Sequence, residues 1–161
     1  MKVPVSDISR HFDTVSVCLS KGLGAPVGSV SCGPREIVAK ARRWRKVLGG
    51  GMRQAGMLAA AGIFALEHNV ARLAEDHTNA QVLAAGLSAI DGMTITGAAQ
   101  TNMVFAKFPA ARADALRDFL KQRQMLVGVG PNLRMVTHLD VSAQDVTRFV
   151  TAVDDFFRQA A

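Results

Sequence analysis

The sequence is poor in cysteine and has no long uninterrupted apolar run, and both absences restrict what the chain can be. Its two cysteines, Cys18 and Cys32, fit no metal-ligand spacing and exclude a disulfide-rich scaffold. No stretch reaches the roughly 20 consecutive apolar residues that a membrane helix needs, and residues 1–13 lack the apolar segment of a signal peptide. No two histidines have metal-ligand spacing either. We therefore expect a cytoplasmic protein with reduced core thiols, no membrane partner and no metal site.

Acidic residues are scarce between Arg35 and Arg53, where seven basic residues accompany the single acid Glu36. This segment alone carries +6, which equals the formal net charge of the whole chain. Such a segment is typical of contact with an anion. Nucleic acid is one candidate anion, but neither an aromatic-interleaved surface nor a known binding motif accompanies the basic cluster. We predict no nucleic-acid partner.

Hydrophobic periodicity predicts an α/β chain in two parts, with a boundary at Gly92. Residues 1–92 should contain a lead-in capped by Ser6, a buried strand, a second short strand, a basic helix and a long helical stretch whose first part is buried on most sides. Residues 93–161 should form a small α/β domain with caps at Asp140 and Ser142. The predicted strands are 15–19, 27–32, 93–97, 101–108, 126–130 and 133–138; the predicted helices are 34–48, 52–90, 111–124 and 146–159. Two strands make a poor sheet on their own, so the first part should be incomplete.

Lys21 ends the first predicted strand and is followed by a turn rich in glycine and proline, KGLGAPVG. Glycine lets the backbone turn sharply and leaves room for a flat ligand. A fixed lysine amine forms a Schiff base with a carbonyl when the amine is neutral. A lysine that closes a strand at the surface explains the same spacing, and spacing alone favours that explanation.

Three other positions could bind anions. Gly49–Gly51 lead towards a predicted helix, so their N–H groups and Arg53 could hold a phosphate or a carboxylate; a flexible turn explains them equally well. Arg134 lies in an otherwise apolar strand and is either a carboxylate clamp or an edge residue that faces water. His138 shares the face of Arg134, and we predict that it forms a structural hydrogen bond near Asp140.

Several long motifs together resemble the low-specificity L-threonine aldolases: CLSKGLGAPVGS, RRWRKVLGGGMRQAGMLAAAG, ALEHNVARLAEDHTNA, TNMVF and RMVTHLDVS. The resemblance covers essentially the whole chain. It implies the fold type I of enzymes that depend on pyridoxal 5'-phosphate (PLP): 1–92 would be the end of the large PLP-binding domain, and 93–161 the C-terminal small α/β domain.

The resemblance also implies site residues and an activity. Lys21 would be the catalytic Schiff-base lysine, Lys46 and Arg53 would lie near the cofactor phosphate or the substrate, and Arg134 would bind the substrate carboxylate. The implied reaction is the cleavage of L-threonine or L-allo-threonine, both small-molecule amino acids, to glycine and an aldehyde. The expected assembly is a homo-oligomer, a tetramer of full-length chains.

Members of this family are considerably longer, with their lysine past the middle of the chain. We therefore expect that an N-terminal half, with most strands of the central sheet, is missing here. The chain would then be a truncated or split product, or one half of a two-chain enzyme whose partner supplies the other half, and the 161 residues alone would lack what turnover needs. The alternative is an inactive fragment or subunit that associates with such a partner.

Overall fold

The computed structural model describes residues 3–128 and 130–159 of the chain. It divides into two compact units, with the boundary between Val70 and Ala71; we call these the N-terminal unit and the C-terminal unit. No helix in the described ranges is long and apolar enough to cross a membrane. The compact units place residues 71–92 with the C-terminal part. The predicted domain boundary at residue 92 refers to the fold of the longer family members. The division between Val70 and Ala71 does not test that prediction.

The N-terminal unit is built from a β-hairpin and helices. Its elements are α1 (Val5–Ser9), β1 (Val15–Cys18), β2 (Ser29–Cys32), α2 (Arg35–Val47) and α3 (Gly56–His68). Strands β1 and β2 pair antiparallel, from Val15 opposite Cys32 to Cys18 opposite Ser29. The buried apolar residues of this unit are Leu19, Ala25 and Ala65, with Leu23 packed against them.

Several predictions for the N-terminal unit are wrong in detail. The first strand is half-buried or exposed along its length rather than buried, because among the described residues it belongs to a two-stranded sheet with β2 alone. Of helix α3, only Gly62 and Ala65 are buried. Ser6 lies inside α1, whose N-cap is Pro4 without a side-chain hydrogen bond. The predicted helix over 52–90 is two helices, since Asn69 ends α3 and donates its side-chain amide to the Leu23 carbonyl (2.8 Å).

The C-terminal unit is an antiparallel three-stranded sheet covered by helices. Its elements are α4 (Leu73–Ser88), β3 (Thr94–Ile95), β4 (Met103–Lys107), α5 (Ala113–Gln122), β5 (Asn132–Val136) and α6 (Ala143–Arg158), with a short 3₁₀ turn at Ala110–Arg112. Strand β4 lies between β3 and β5. Residues 125–128 form no strand, contrary to the prediction for 126–130; the Met125 N–H instead donates to the Leu120 carbonyl at the end of α5. Val129 lies outside the described residues.

The core of the C-terminal unit follows the expected periodicities. Strand β4 turns Val104 and Ala106 inwards and Met103 and Phe105 outwards. The helices contribute buried residues at three- and four-residue spacings: Ala80, Leu83 and Leu87 from α4, Leu116 and Leu120 from α5, and Val146, Val153 and Phe156 from α6. Ser142 caps α6 as predicted, and Asp145 completes a capping box with it.

Candidate active site

Lys21 lies on a turn whose backbone is fixed from both sides. The Leu19 N–H donates to the Gly28 carbonyl (3.0 Å) and the Ala25 N–H to the Leu19 carbonyl (3.1 Å). Within this loop the Gly24 N–H donates to the Lys21 carbonyl (2.9 Å), and Gly24 has a φ of 74°, a conformation that favours glycine. Leu19 and Ala25 are both 7% exposed. The loop is therefore anchored by its apolar residues, while the side chain of Lys21 is exposed.

Hydrogen-bond donors surround the thiol of Cys18, three residues before Lys21. The Ser20 hydroxyl lies 3.5 Å from its Sγ atom. The pKa of Cys18 is lowered, mainly by the Ser20 side chain, then by the Ser20 backbone and the Ser29 side chain, with a smaller effect of the Lys21 charge. The predicted core thiols are therefore wrong: Cys18 is half-buried in a polar environment and Cys32 is exposed. The sequence signal that we overlooked is Ser20, between the cysteine and the lysine.

The glycine-rich segment after α2 is a tight turn. The N–H groups of Gly49, Gly50 and Gly51 donate to the carbonyls of Lys46, Arg45 and Gly49, respectively (3.1, 2.7 and 3.0 Å). They are thus used within the turn, and α3 begins only at Gly56. The sequence left open whether these glycines form an anion site or a turn; the structure shows the turn that ends α2, which uses these N–H groups.

Lys46 and Arg53 are exposed on either side of this turn. The side chain of Lys46 lies across Gly51: a Cβ atom built on Gly51 would be 2.5 Å from the Lys46 Nζ atom and 2.7 Å from its Cδ atom. No basic side chain from Arg35 to Arg53 forms an ion pair with any residue that the structure describes. These cations are available to an anion.

Arg134 points outwards from β5, opposite Phe105 of β4. It lines a cleft of about 400 Å³ together with His138 and Arg148. Among residues 3–128 and 130–159, Arg134 has no ion-pair partner. Arg148 was missed from the sequence, because one arginine on an amphipathic helix gives no signal of what it faces.

His138 forms the predicted structural hydrogen bond. Its Nδ1 atom accepts from the Asp140 N–H (3.3 Å) and lies 3.6 Å from the Asp140 Oδ2 atom.

Of the four predicted site residues, Lys21, Lys46 and Arg53 lie in the N-terminal unit and Arg134 in the C-terminal unit.

The side chains present fit the cofactor that the resemblance implies. PLP carries an aldehyde, which needs an accessible amine, and a phosphate, which needs cations. Lys21 offers the amine on an anchored turn, and Lys46 and Arg53 offer unpaired positive charge. The space over Gly51, which a Cβ atom would fill, is occupied by Lys46 itself. Any larger residue at position 51 would displace that cation.

This chain is similar in sequence to a known family and to curated proteins over most of its length. The family model described as beta-eliminating lyase matches residues 1–110. The low specificity L-threonine aldolase of Escherichia coli (strain K12) is 46% identical over 142 residues, which are 88% of this chain and 42% of that protein. The chain thus spans well under half the length of the curated relatives that it matches.

Two solved structures share the fold. Serine palmitoyltransferase of Sphingomonas wittichii matches with a TM-score of 0.74 and 20% identity, over 96% of this chain and 42% of that one. A structure of SPT with PLP matches with a TM-score of 0.71 and 17% identity, over 92% of this chain and 40% of that one. The predicted α/β fold class is confirmed.

Proposed function

Because the chain belongs to the beta-eliminating lyase family, we propose that it forms part of a PLP-dependent aldolase. The substrates would be L-threonine or L-allo-threonine, and the products glycine and acetaldehyde. The observation that carries the proposal is the exposed Lys21 on its anchored turn, in a chain 46% identical to a low specificity L-threonine aldolase. Since the chain spans 42% of that relative, the activity is proposed for the whole protein.

Each predicted site residue has a role that its chemistry supports. Lys21 would hold PLP covalently through its amine, and Lys46 and Arg53 would neutralise the phosphate. When bound, PLP supplies an electron sink for the pair released as the Cα–Cβ bond breaks. Arg134 would bind the substrate carboxylate through its planar fork of donors. By fixing the carboxylate, Arg134 would decide which bond at Cα is oriented for cleavage.

The surroundings of Lys21 support its use as a nucleophile. The amine must be neutral to react with a carbonyl. No described acidic side chain forms an ion pair with the Lys21 amine, so the amine is accessible to a carbonyl. The turn also fixes the Cα position of Lys21, so that only its side chain has to be ordered when the cofactor binds.

Substitution of Lys21 tests the proposal most directly. The protein is incubated with PLP and reduced with borohydride, and the labelled lysine is identified by mass spectrometry. We expect specific labelling of Lys21 and its complete loss in Lys21→Ala, because no other amine lies on this turn. Lys121→Ala, which removes an exposed lysine of α5, is the matched control and should label normally. A Lys21→Ala protein that still forms the reduced adduct at one site would disprove the assignment.

Substitution of Arg134 tests the carboxylate role. Arg134→Lys keeps the charge but replaces a bidentate fork with a point charge. We expect weaker binding of the amino acid with unchanged cofactor binding, measured by titration of the cofactor absorbance. Arg158→Lys, at an arginine that pairs with Asp154 (2.9 Å), should bind the amino acid normally. Unchanged affinity in Arg134→Lys would remove Arg134 from the site.

A second candidate is an inactive subunit that associates with a partner supplying the remaining half of the enzyme. The exposed apolar surface of the N-terminal unit favours it: Leu48, Met52 and Met57 are 82%, 71% and 84% exposed. Such surfaces are typical of protein–protein contact. Aldolase activity of the purified chain without any partner would exclude this candidate.

A further inference from the structure

The end of strand β5 is held by several hydrogen bonds at Thr137, which is 1% exposed. The Thr137 N–H donates to the Asn102 carbonyl (3.0 Å). The Asn102 side-chain amide donates to the Thr137 carbonyl (2.9 Å). The Thr137 hydroxyl donates to the Asp76 carbonyl (2.6 Å). Thr137 therefore connects the end of β5 to the residue before β4 and to helix α4.

The third connection ends on a residue that is itself fixed. Asp76 is fully buried, and both its carboxylate oxygens lie 2.7 Å from the Nη2 atom of Arg72, one helical turn earlier. A buried carboxylate held in this way resists displacement, because moving it would leave a charge without its partner. Asp76 thus gives Thr137 a rigid point of attachment on α4.

Strand β5 needs such an attachment. Within the described residues it pairs with β4 on one side only, from Asn132 to Val136. Arg134 lies in the middle of this edge strand and points outwards. No described side chain pairs with its guanidinium, so its direction depends on the position of the strand itself. Thr137 follows three residues later, and its hydrogen bonds to Asn102 and Asp76 attach that end of the strand.

We infer that Thr137 and Asn102 are positioning residues: they hold β5 so that Arg134 is aimed at the carboxylate of an amino-acid substrate. The inference rests on the carboxylate-binding role of Arg134 under Proposed function. It assigns to Thr137 an effect on recognition of the carboxylate, in addition to its effect on stability.

The test compares two ligands in the full chain with PLP present: L-threonine, and L-threoninol, which replaces the carboxylate with a hydroxymethyl group. Thr137→Val keeps the shape and removes the hydroxyl. We expect it to weaken L-threonine binding roughly tenfold, because a displacement of the order of 1 Å is costly at such a site. L-threoninol binding should be unchanged, and Thr137→Ser should restore L-threonine binding. Equal loss for both ligands would show a merely structural role and would overturn the inference.

The matched control is Thr151→Val. The Thr151 hydroxyl donates only to the Thr147 carbonyl of its own helix (3.0 Å), so this variant loses a hydroxyl without touching β5. It should bind both ligands as the parent protein does. A loss in Thr151→Val equal to that in Thr137→Val would contradict the specific role of Thr137.

A double-mutant cycle separates this inference from the proposed function. If Arg134→Ala weakens L-threonine binding, adding Thr137→Val should cause no further loss, and additive losses would overturn the inference. If Arg134→Ala alone does not change L-threonine binding, the proposed role of Arg134 is wrong, and the positioning role of Thr137 is wrong with it. This outcome differs from additive losses, which would overturn the positioning role alone.

Hydrogen exchange provides a readout that does not depend on the loaded enzyme. In Thr137→Val we expect faster exchange of the Thr137 amide, which donates to the Asn102 carbonyl, and of the Met135 amide, which faces β4 in the same alternation. Protection in α5 should be unchanged. Asn102→Ala removes the side-chain bond but keeps the backbone bond, and serves if Thr137→Val does not fold. Asn102→Ala should lose amide protection in β5 only, and it should bind L-threonine more weakly while binding L-threoninol normally. Unchanged exchange in both variants would overturn the inference.

Discussion

Ala65 in the N-terminal unit and Ala80 in the C-terminal unit are both almost completely buried in the middle of a helix, at 1% and 0% exposure, yet their surroundings differ. Ala80 belongs to a core of 15 buried hydrophobic residues, whereas Ala65 shares its core with Leu19 and Ala25. Of the large hydrophobic side chains described as exposed, 17 lie in the N-terminal unit and 6 in the C-terminal unit. A comparable helical pattern therefore produces a closed core in one unit and an open surface in the other.

The N-terminal unit therefore has more large apolar side chains than its own helices and strands can bury. Burial of apolar area is the main favourable contribution to folding, and a two-stranded hairpin offers little area. The C-terminal unit, with three strands and three helices, covers most of its large apolar side chains. We expect stability to be concentrated in the C-terminal unit and contact with other polypeptide in the N-terminal unit.

The largest expected effect comes from truncating one leucine in each unit. Leu116→Ala removes a side chain that is 1% exposed and should cost about 2–5 kcal/mol of unfolding free energy, from lost burial and a cavity. Leu48→Ala removes one that is 82% exposed and should change stability by about 0.5 kcal/mol or less. Urea unfolding followed by circular dichroism measures both. Comparable losses would mean that Leu48 is covered in solution and that the two units do not differ as described.

Glycine-to-alanine substitutions should have opposite signs in the two units. A Cβ atom on Gly86 would lie 2.8 Å from the Val150 Cγ1 atom, where α4 approaches α6. Overpacking there costs about 1–3 kcal/mol, against a gain in helix propensity of about 1 kcal/mol, so we expect a net loss of stability. A Cβ atom on Gly56 meets nothing within 4 Å, so Gly56→Ala should be stabilising. Thermal unfolding of both variants measures the signs, and a stabilising Gly86→Ala would refute the close helix contact.

The smallest effect concerns a helix cap. Ser142→Ala removes the cap of α6 and should cost about 1 kcal/mol, whereas Ser6→Ala in α1, where no side-chain cap hydrogen bond exists, should be neutral. The two variants are compared by thermal unfolding at pH 7. An equal loss in both would show that the capping box contributes nothing.

The same cap predicts a pH dependence. The pKa of Asp145 is lowered, first by the Ser142 side chain and then by its backbone N–H. A lowered pKa means that the stabilisation is present above the ordinary value for a carboxyl group and is lost as the pH falls through the lowered value. Ser142→Ala should therefore match the parent more closely in acid than at pH 7. A difference that does not shrink in acid would contradict this sign.

Much of the C-terminal unit could be predicted from the sequence, and much of the site could not. The alternation in MVFAK and the spacing of Leu116 and Leu120 specify a strand and a helix locally, and the structure confirms both. The sequence could not decide between an anion site and a turn at Gly49–Gly51, because which N–H groups remain free depends on how the turn closes. The sequence also gives no indication of the hydrogen bonds at Thr137, since they join residues 35 and 61 positions apart.

Most of the local elements, the basic segment, the lysine turn and the family could be predicted from the amino-acid sequence alone. Local patterns and short motifs carry this information because they depend on neighbouring residues. The hydrogen bonds that anchor the Lys21 loop, close the glycine turn and join Thr137 to Asn102 and Asp76 are visible in the three-dimensional structure alone. The bonds at Thr137 join residues 35 and 61 positions apart, so no pattern of neighbouring residues encodes them. The lysine loop and the glycine turn close through local bonds, but which N–H groups they use depends on the backbone conformation that each turn adopts.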